Sequence, residues 1–274
     1  MPRVPRDRHP TTSPRAERAT VLITPDPPCS ARHIRREWVA LSSLPPSGEV
    51  FEPYRTANLP IPVGTWLQHS IKEATPLART AWLHMRGHIR IGAWRPFTAT
   101  QVLVPGVGFI WAAKAQFVGI PVLAYDKYFG GAGEMRWRIG GIVPEMSARN
   151  TDIDTSAAGR LAAESVFVPT CFAGAQWSSD DSGVHATWSI DEHRETVDLD
   201  IGDNGELRGV AMQRWGNPDG APFGRYPFGV GLDSEREFGG VAIPAQVRAG
   251  WWWHTNRQTE GEFFRATITH AELR

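Results

Sequence analysis

From Trp82 to Trp137 apolar and polar residues alternate with a period of two, interrupted mainly by glycine and proline. In LHMRGHIRI, Leu83, Met85, Ile89 and Ile91 hold odd positions, whereas His84, Arg86, His88 and Arg90 hold even ones. Side chains alternate faces along a strand, so this segment offers one apolar face and one cationic or titratable face. The second face is expected to meet water or to line a polar cup. Further strands follow in WRPFTATQVLVP, GFIWAAKAQFVG, IPVLAYDKYFGG and EMRWRIGGIVP. Gly106, Gly108, Gly119 and the cluster Gly130, Gly131 and Gly133 punctuate them as turns. The alternation returns in VHATWSID, ETVDLDIG, LRGVAMQRWG, FGGVAIPAQVRAGWWWHT and GEFFRATITHAEL, with Asn204 and Gly205 as a hairpin turn. Continuing it through the tryptophan run places Trp252 opposite Trp251 and Trp253.

Helical spacing appears twice. In SARHIRREWVALSSL, Ile34, Trp38 and Leu41 fall on one side behind Ser30 as a cap, and Pro45 and Pro46 end the segment. Residues 48–64 read as a proline-punctuated loop, and 65–82 fit a strand or a short helix. The second helix lies in TDIDTSAAGRLAAESVFVPT, with Asp154 or Thr155 as N-cap and Ala157, Leu161, Ala162 and Ser165 at helical spacing, closed by Pro169. Strands outnumber helices and no β-α-β rhythm appears. The expected class is α+β, an antiparallel sheet with helices packed on one face. One domain is expected over 30–274, behind a disordered Arg/Pro-rich tail at 1–29.

Composition narrows the function classes. A chain of 274 residues can bury a sizeable core without covalent staples, and Cys29 and Cys171 sit in neither a CxxC pair nor a metal-binding spacing. The 29 basic and 29 acidic residues balance, so no global field favours nucleic acid. Only Lys72, Lys114 and Lys127 are lysines, and this arginine bias makes a single arginine weak evidence of function. Twelve tryptophans point instead to a large aromatic cavity or a thick core. No run approaches the ~18 apolar residues of a membrane-spanning helix, and the leader lacks the apolar core of a secretory signal. A cytoplasmic protein without stable membrane insertion is therefore expected.

Candidate chemistry centres on Glu164, flanked on its helix by Leu161, Ala162, Ala163, Val166 and Phe167. A carboxyl buried there would have a raised pKa suited to proton donation; the alternative is an ion pair with a strand arginine such as Arg86 or Arg90. Asp126 and Tyr128 share a strand face and would suit general acid/base work, or simply close a hairpin. His84, Arg86 and His88 form a row in which Arg86 suits anion recognition and His84 proton transfer. Zinc needs three or four ligands, so no metal is expected from that row. Asp152 and Asp154 read as helix-capping residues. The glycine cluster lacks the GK[ST] of a phosphate loop, Ser147 and Ser165 lack a nucleophile elbow, and no cofactor is expected. Trp94, Trp111, Trp137, Trp188, Trp215 and the run from Trp251 to Trp253 would line a cup or pack a wide sheet.

The order of HMRGHIRIG, WRPFTATQV, GFIWAAKA, YDKYFGGAGEMRWRIGG and GRLAAESVFVPT resembles the uncharacterised bacterial DUF6544/DUF6920-type proteins, closely over 82–172 and loosely over 175–265. The chain departs from their pattern at Phe167, where tryptophan is usual, and at Met85. The resemblance implies a LolA/LppX-like half-barrel, a curved antiparallel sheet with helices on its concave side around an apolar ligand. It supplies no catalytic residue. Two functions are therefore expected to compete. One is a cofactor-independent enzyme that cyclises, isomerises or rearranges an apolar small molecule, using Glu164, Asp126, Tyr128 and His84. Its substrate would lie among Arg86, His88, Trp94, Trp111, Trp137, Phe167, Trp188 and Trp215. The other is a non-catalytic carrier or sensor of a lipid or other apolar ligand, and a homodimer is compatible with both.

Overall fold

The computed structural model describes residues 26–274 apart from 118, 142 and 182, with the side chains of 143–146 and 172–174 also excluded. Most of the expected tail, 1–25, lies outside the described residues. Among the described residues, one antiparallel sheet contains thirteen strands. The first six are β1 (Ala81–Ile91), β2 (Ala93–Val104), β3 (Gly108–Phe117), β4 (Ile120–Phe129), β5 (Ala132–Ile139) and β6 (Val143–Ala148). The other seven are β7 (Gln176–Asp180), β8 (Gly183–Ile190), β9 (His193–Ile201), β10 (Leu207–Gly216), β11 (Gly224–Phe238), β12 (Val241–Trp251) and β13 (Glu262–Leu273). Each set forms a meander, and the two meanders join where β1 pairs with β13.

The joined sheet bends until its wings meet. Tyr128 on β4 donates from its hydroxyl to Asp191 in the β8–β9 turn at 2.8 Å, although many strands separate the two in sheet order. Gly106, in the β2–β3 turn, lies against the Trp188 ring of β8. A curved sheet also follows from the right-handed twist accumulated over so many strands.

Among the described residues, four α-helices accompany the sheet: α1 (Arg35–Ser42), α2 (Ile61–Ser70), α3 (Thr151–Glu164) and the short α4 (Gln258–Gly261). Helix α3 lies inside the bend and packs on β5 of one wing and on β9 and β10 of the other. Helix α2 begins inside the segment expected as a loop, and its Val63, Trp66 and Leu67 extend the same inner core. Helices α2 and α3 thus pack on the concave side as expected, and a further helix covers the other face. Helix α1 buries Trp38 and Leu41 on the outer face, against Trp82, Val102, Ile110 and Tyr125. Those outward positions of β1 to β4 are apolar, so that face also needs a cover. None of the described helices is long and apolar enough to cross a membrane.

Strand β1 keeps the register read from its letters. Leu83, Met85 and Ile89 are buried in the inner core, whereas His84, Arg86 and His88 are exposed on the outer face. The tryptophan run departs from expectation, because β12 ends at Trp251 and Trp252 turns with φ of 59°. Trp251 consequently faces the inside, whereas Trp253 covers Gly229 on the outer surface.

Helix α3 starts earlier than its spacing suggests. Asn150 is the N-cap, and its side-chain oxygen accepts from the Ile153 N–H at 2.9 Å. Asp154 instead accepts from the Gly133 N–H of β5 at 2.7 Å, tying the first turn to the sheet. Asn150→Ala should lower stability by about 1 kcal/mol. Equilibrium denaturation reads that loss, and an unchanged midpoint would remove the cap from the account.

Candidate functional site

Between α3 and the sheet is a cavity of about 310 Å³. Its floor is apolar because inward positions of six strands converge on it. They include Met85 and Ile89 of β1, Phe228 and Val230 of β11, Val247 and Ala249 of β12 and Phe264 of β13. Phe167 follows α3, and Trp111 of β3 adds an aromatic wall. The volume falls at the low end of small-molecule pockets, about 300–1,000 Å³.

The polar groups lie along α3. Arg160 donates from Nε to Glu164 at 2.7 Å and from Nη1 to Asp126 at 3.1 Å. Its guanidinium lies 4.6 Å from the centre of the Phe109 ring and 5.5 Å from that of Trp111. Asp126 also accepts from the Trp137 indole at 3.1 Å, and Glu164 accepts from the Gln101 amide at 2.6 Å. Both carboxylates are therefore engaged by donors. Burial raises the Asp126 pKa, a shift partly opposed by the charge of Arg160. Burial also disfavours the charge on Arg160, but attraction by Glu164 and then Asp126 outweighs it and raises the Arg160 pKa.

A second cation, Arg214 of β10, borders the same cavity. Its Nε and Nη2 each lie 3.2 Å from the Ser156 main-chain oxygen of α3. Its guanidinium stacks over Phe228 at 4.6 Å and Trp251 at 5.4 Å. Among the described residues, no carboxylate forms a salt bridge with it. Burial, and next the charge of Arg160, lower its pKa to about 10, so it remains cationic at neutral pH.

The expected site residues separate into three groups. Glu164, Asp126, Trp111 and Phe167 line the cavity, and Trp137 touches it through its bond to Asp126. Tyr128 points inward but is fully buried, and its hydroxyl is committed to Asp191. Trp188 packs in the inner core, and Trp215 donates from its indole to Asp152 of α3 at 3.0 Å. The third group lies outside. His84 stands beside His270, with ring centres 5.9 Å apart, and burial, then His270, lowers its pKa. Arg86 and His88 line a groove with Arg248 and Arg265 on the outer face, and Arg265 stacks over Trp94 at 4.6 Å. Side chains of opposite strand parity do not share a cup, so His84, Arg86, His88 and Trp94 are removed from the cavity.

Glu164 is paired, as one of its two expected alternatives has it, but with Arg160 of its own helix rather than with Arg86 or Arg90. Arg160, Arg214 and Gln101 also border the cavity and are not among the expected site residues. A four-residue spacing links Arg160 to Glu164, and Arg214 occupies the register of Val210 and Met212, the alternation being broken before them at Leu207/Gly209. The two cysteines are free, and burial raises the Cys171 pKa to about 11, consistent with an inert thiol.

Comparison with solved structures returns distant likenesses. A LolA superfamily protein from Nitrosomonas europaea has 11% identity and a TM-score of 0.40, covering 78% of this chain and 92% of its own. A domain from Vibrio parahaemolyticus, provisionally assigned as an outer membrane lipoprotein-sorting protein, has 9% identity and a TM-score of 0.39. It covers 71% of this chain and 85% of its own. A DUF1329 family protein from Desulfovibrio piger has 9% identity and a TM-score of 0.37, covering 72% of this chain and 86% of its own. No curated protein matches the sequence.

The expectation of an acid/base enzyme is corrected. Its two cavity acids are consumed by Arg160, Trp137 and Gln101, Tyr128 is committed to Asp191, and His84 lies outside. The model of a family of unknown function, DUF6920, one of the two numbers in the resemblance, matches residues 57–273, and the chain belongs to that family.

Proposed function

We propose that this protein is a non-catalytic carrier of an apolar or amphipathic small molecule held between α3 and the bent sheet. The observation that carries this reading is the cavity of about 310 Å³, whose floor is almost wholly apolar and whose acids are already bonded. Apolar surface left facing an interior hollow is a standing cost that a ligand relieves by removing it from water. The three similar structures include a LolA superfamily protein and a provisionally assigned lipoprotein-sorting domain, and a carrier is in keeping with those names.

A neutral apolar fluorophore, N-phenyl-1-naphthylamine, tests the reading. Binding to the wild type should raise its emission with saturation at one site. Ala249 lies on the cavity floor with its side chain facing in, so Ala249→Trp should fill the space and weaken binding at least ~10-fold, on the rule that each 1.4 kcal/mol is tenfold. Absence of saturable binding to the wild type, or equal affinity in a folded Ala249→Trp protein, would defeat the proposal.

A further inference from the structure

Within the carrier reading, and resting on it, Arg214 distinguishes one class of ligand from the rest. Three cationic residues and two carboxylates border the cavity, but they are not evenly partnered, and Lys127 is paired with Glu37 and Glu134. Arg160 bonds to both Asp126 and Glu164, so this trio satisfies itself. Asp126 and Glu164 attract Arg214 through space but form no salt bridge with it. Arg214 receives only the main-chain oxygen of Ser156 at 3.2 Å and the Ser156 hydroxyl oxygen at 3.4 Å. Its Nη1 has no hydrogen-bond partner among the described residues.

A guanidinium carries five N–H donors in a planar fork, and a carboxylate fits that fork with two parallel bonds. Arg214 is part-buried and borders the cavity, so a ligand held there can reach its Nη1. The ring faces of Phe228 and Trp251 hold the guanidinium plane in place. They supply no acceptor. The acceptor that fits is thus a single anion, presented from a cavity whose apolar walls include Met85, Ile89, Val247 and Phe264. A phosphate dianion would bring more charge than one unpaired arginine meets.

We infer that the ligand is a single-chain amphiphile with a monoanionic carboxylate head, the head resting on Arg214 and the tail on the apolar floor. The volume of about 310 Å³ accommodates one slender chain or a small ring system rather than several chains side by side. Arg214 therefore selects the head group, whereas the sheet floor holds the tail.

Displacement of bound N-phenyl-1-naphthylamine from the full chain at pH 8 tests this, using decanoate, 1-decanol and decyltrimethylammonium as matched competitors. The expected order places decanoate at least ~10-fold tighter than the alcohol and the ammonium, equivalent to one charge-assisted pair. Arg214→Met should close the gap between decanoate and the alcohol, and Arg214→Lys should keep part of it. Equal displacement by decanoate and decanol in the wild type overturns the inference without any variant, as does a gap that persists in folded Arg214→Met protein. Either result leaves fluorophore binding, and so the carrier reading, standing. Failure of the fluorophore itself to bind defeats the carrier reading and this inference together.

Discussion

Replacing Arg160 by methionine is expected to cost the fold about 3–5 kcal/mol near neutral pH, the range for removing one partner of a buried ion pair. Methionine fills similar space beside Phe109 and Trp111, so the loss should come from charge rather than from a void. Asp126 would keep only the Trp137 indole and Glu164 only the Gln101 amide. A pH dependence is expected from the same pair. Burial sets the Asp126 pKa in the folded protein above its ordinary 3.8, so folding takes up a proton between those two values. Stability contributed by that group is fully present below 3.8 and is lost as pH rises through the folded pKa. Removing Arg160 raises the folded pKa further and widens the window. The variant should therefore recover stability on mild acidification by more than the wild type does. Urea midpoints measured across pH read both effects; equal midpoints at pH 7, or an identical pH response in the two proteins, would mean that the trio is not coupled as described.

Gly87→Ala should be comparably damaging for a different reason. A Cβ at Gly87 would stand 1.9 Å from the Arg265 carbonyl oxygen and 2.8 Å from the Ala266 Cα, both main-chain atoms of β13. Neither can rotate away, so β1 and β13 must separate at the seam joining the two wings. Overpacking of this kind costs about 1–3 kcal/mol and occasionally more, and a clash with a main-chain oxygen at the central pairing belongs at the upper end. Thermal unfolding should show a correspondingly large fall in Tm. A variant that melts with the wild type would place the β1–β13 register in error.

Period-two alternation carried most of the sheet, because each strand face has a uniform environment. Met85 and Ile89 against His84 and His88 show the rule at its clearest. The letters did not say which environment each polar residue would meet. The cationic face of β1 could have been a cup or water, and only the direction of bending, set by contacts such as Tyr128 with Asp191, decides between them. Helix α1 was visible from Ile34, Trp38 and Leu41, but its placement on the outer face depends on Trp82, Val102 and Ile110, which lie far along the chain. At the site, Glu164, Asp126, Trp111 and Phe167 were legible as polar or aromatic residues in apolar company. Arg214 broke its strand's apolar register, yet in an arginine-rich chain that signal was faint. The tryptophan run misled because a left-handed residue at Trp252 ends the strand where alternation would continue it.

The seam between the meanders also governs how the molecule can assemble. Ala81 is paired with Leu273, so the strand that comes last in order occupies the middle of the sheet and not an edge. Each meander can zip up through neighbouring hairpins as it is synthesised. The bowl itself must wait for β13, and until then both β1 and β12 expose open edges able to recruit foreign strands. Closing so large a loop late is entropically slow. Aggregation during refolding should therefore be decided at this last docking step, and a chain ending before Glu262 should yield two unjoined half-sheets rather than a smaller bowl.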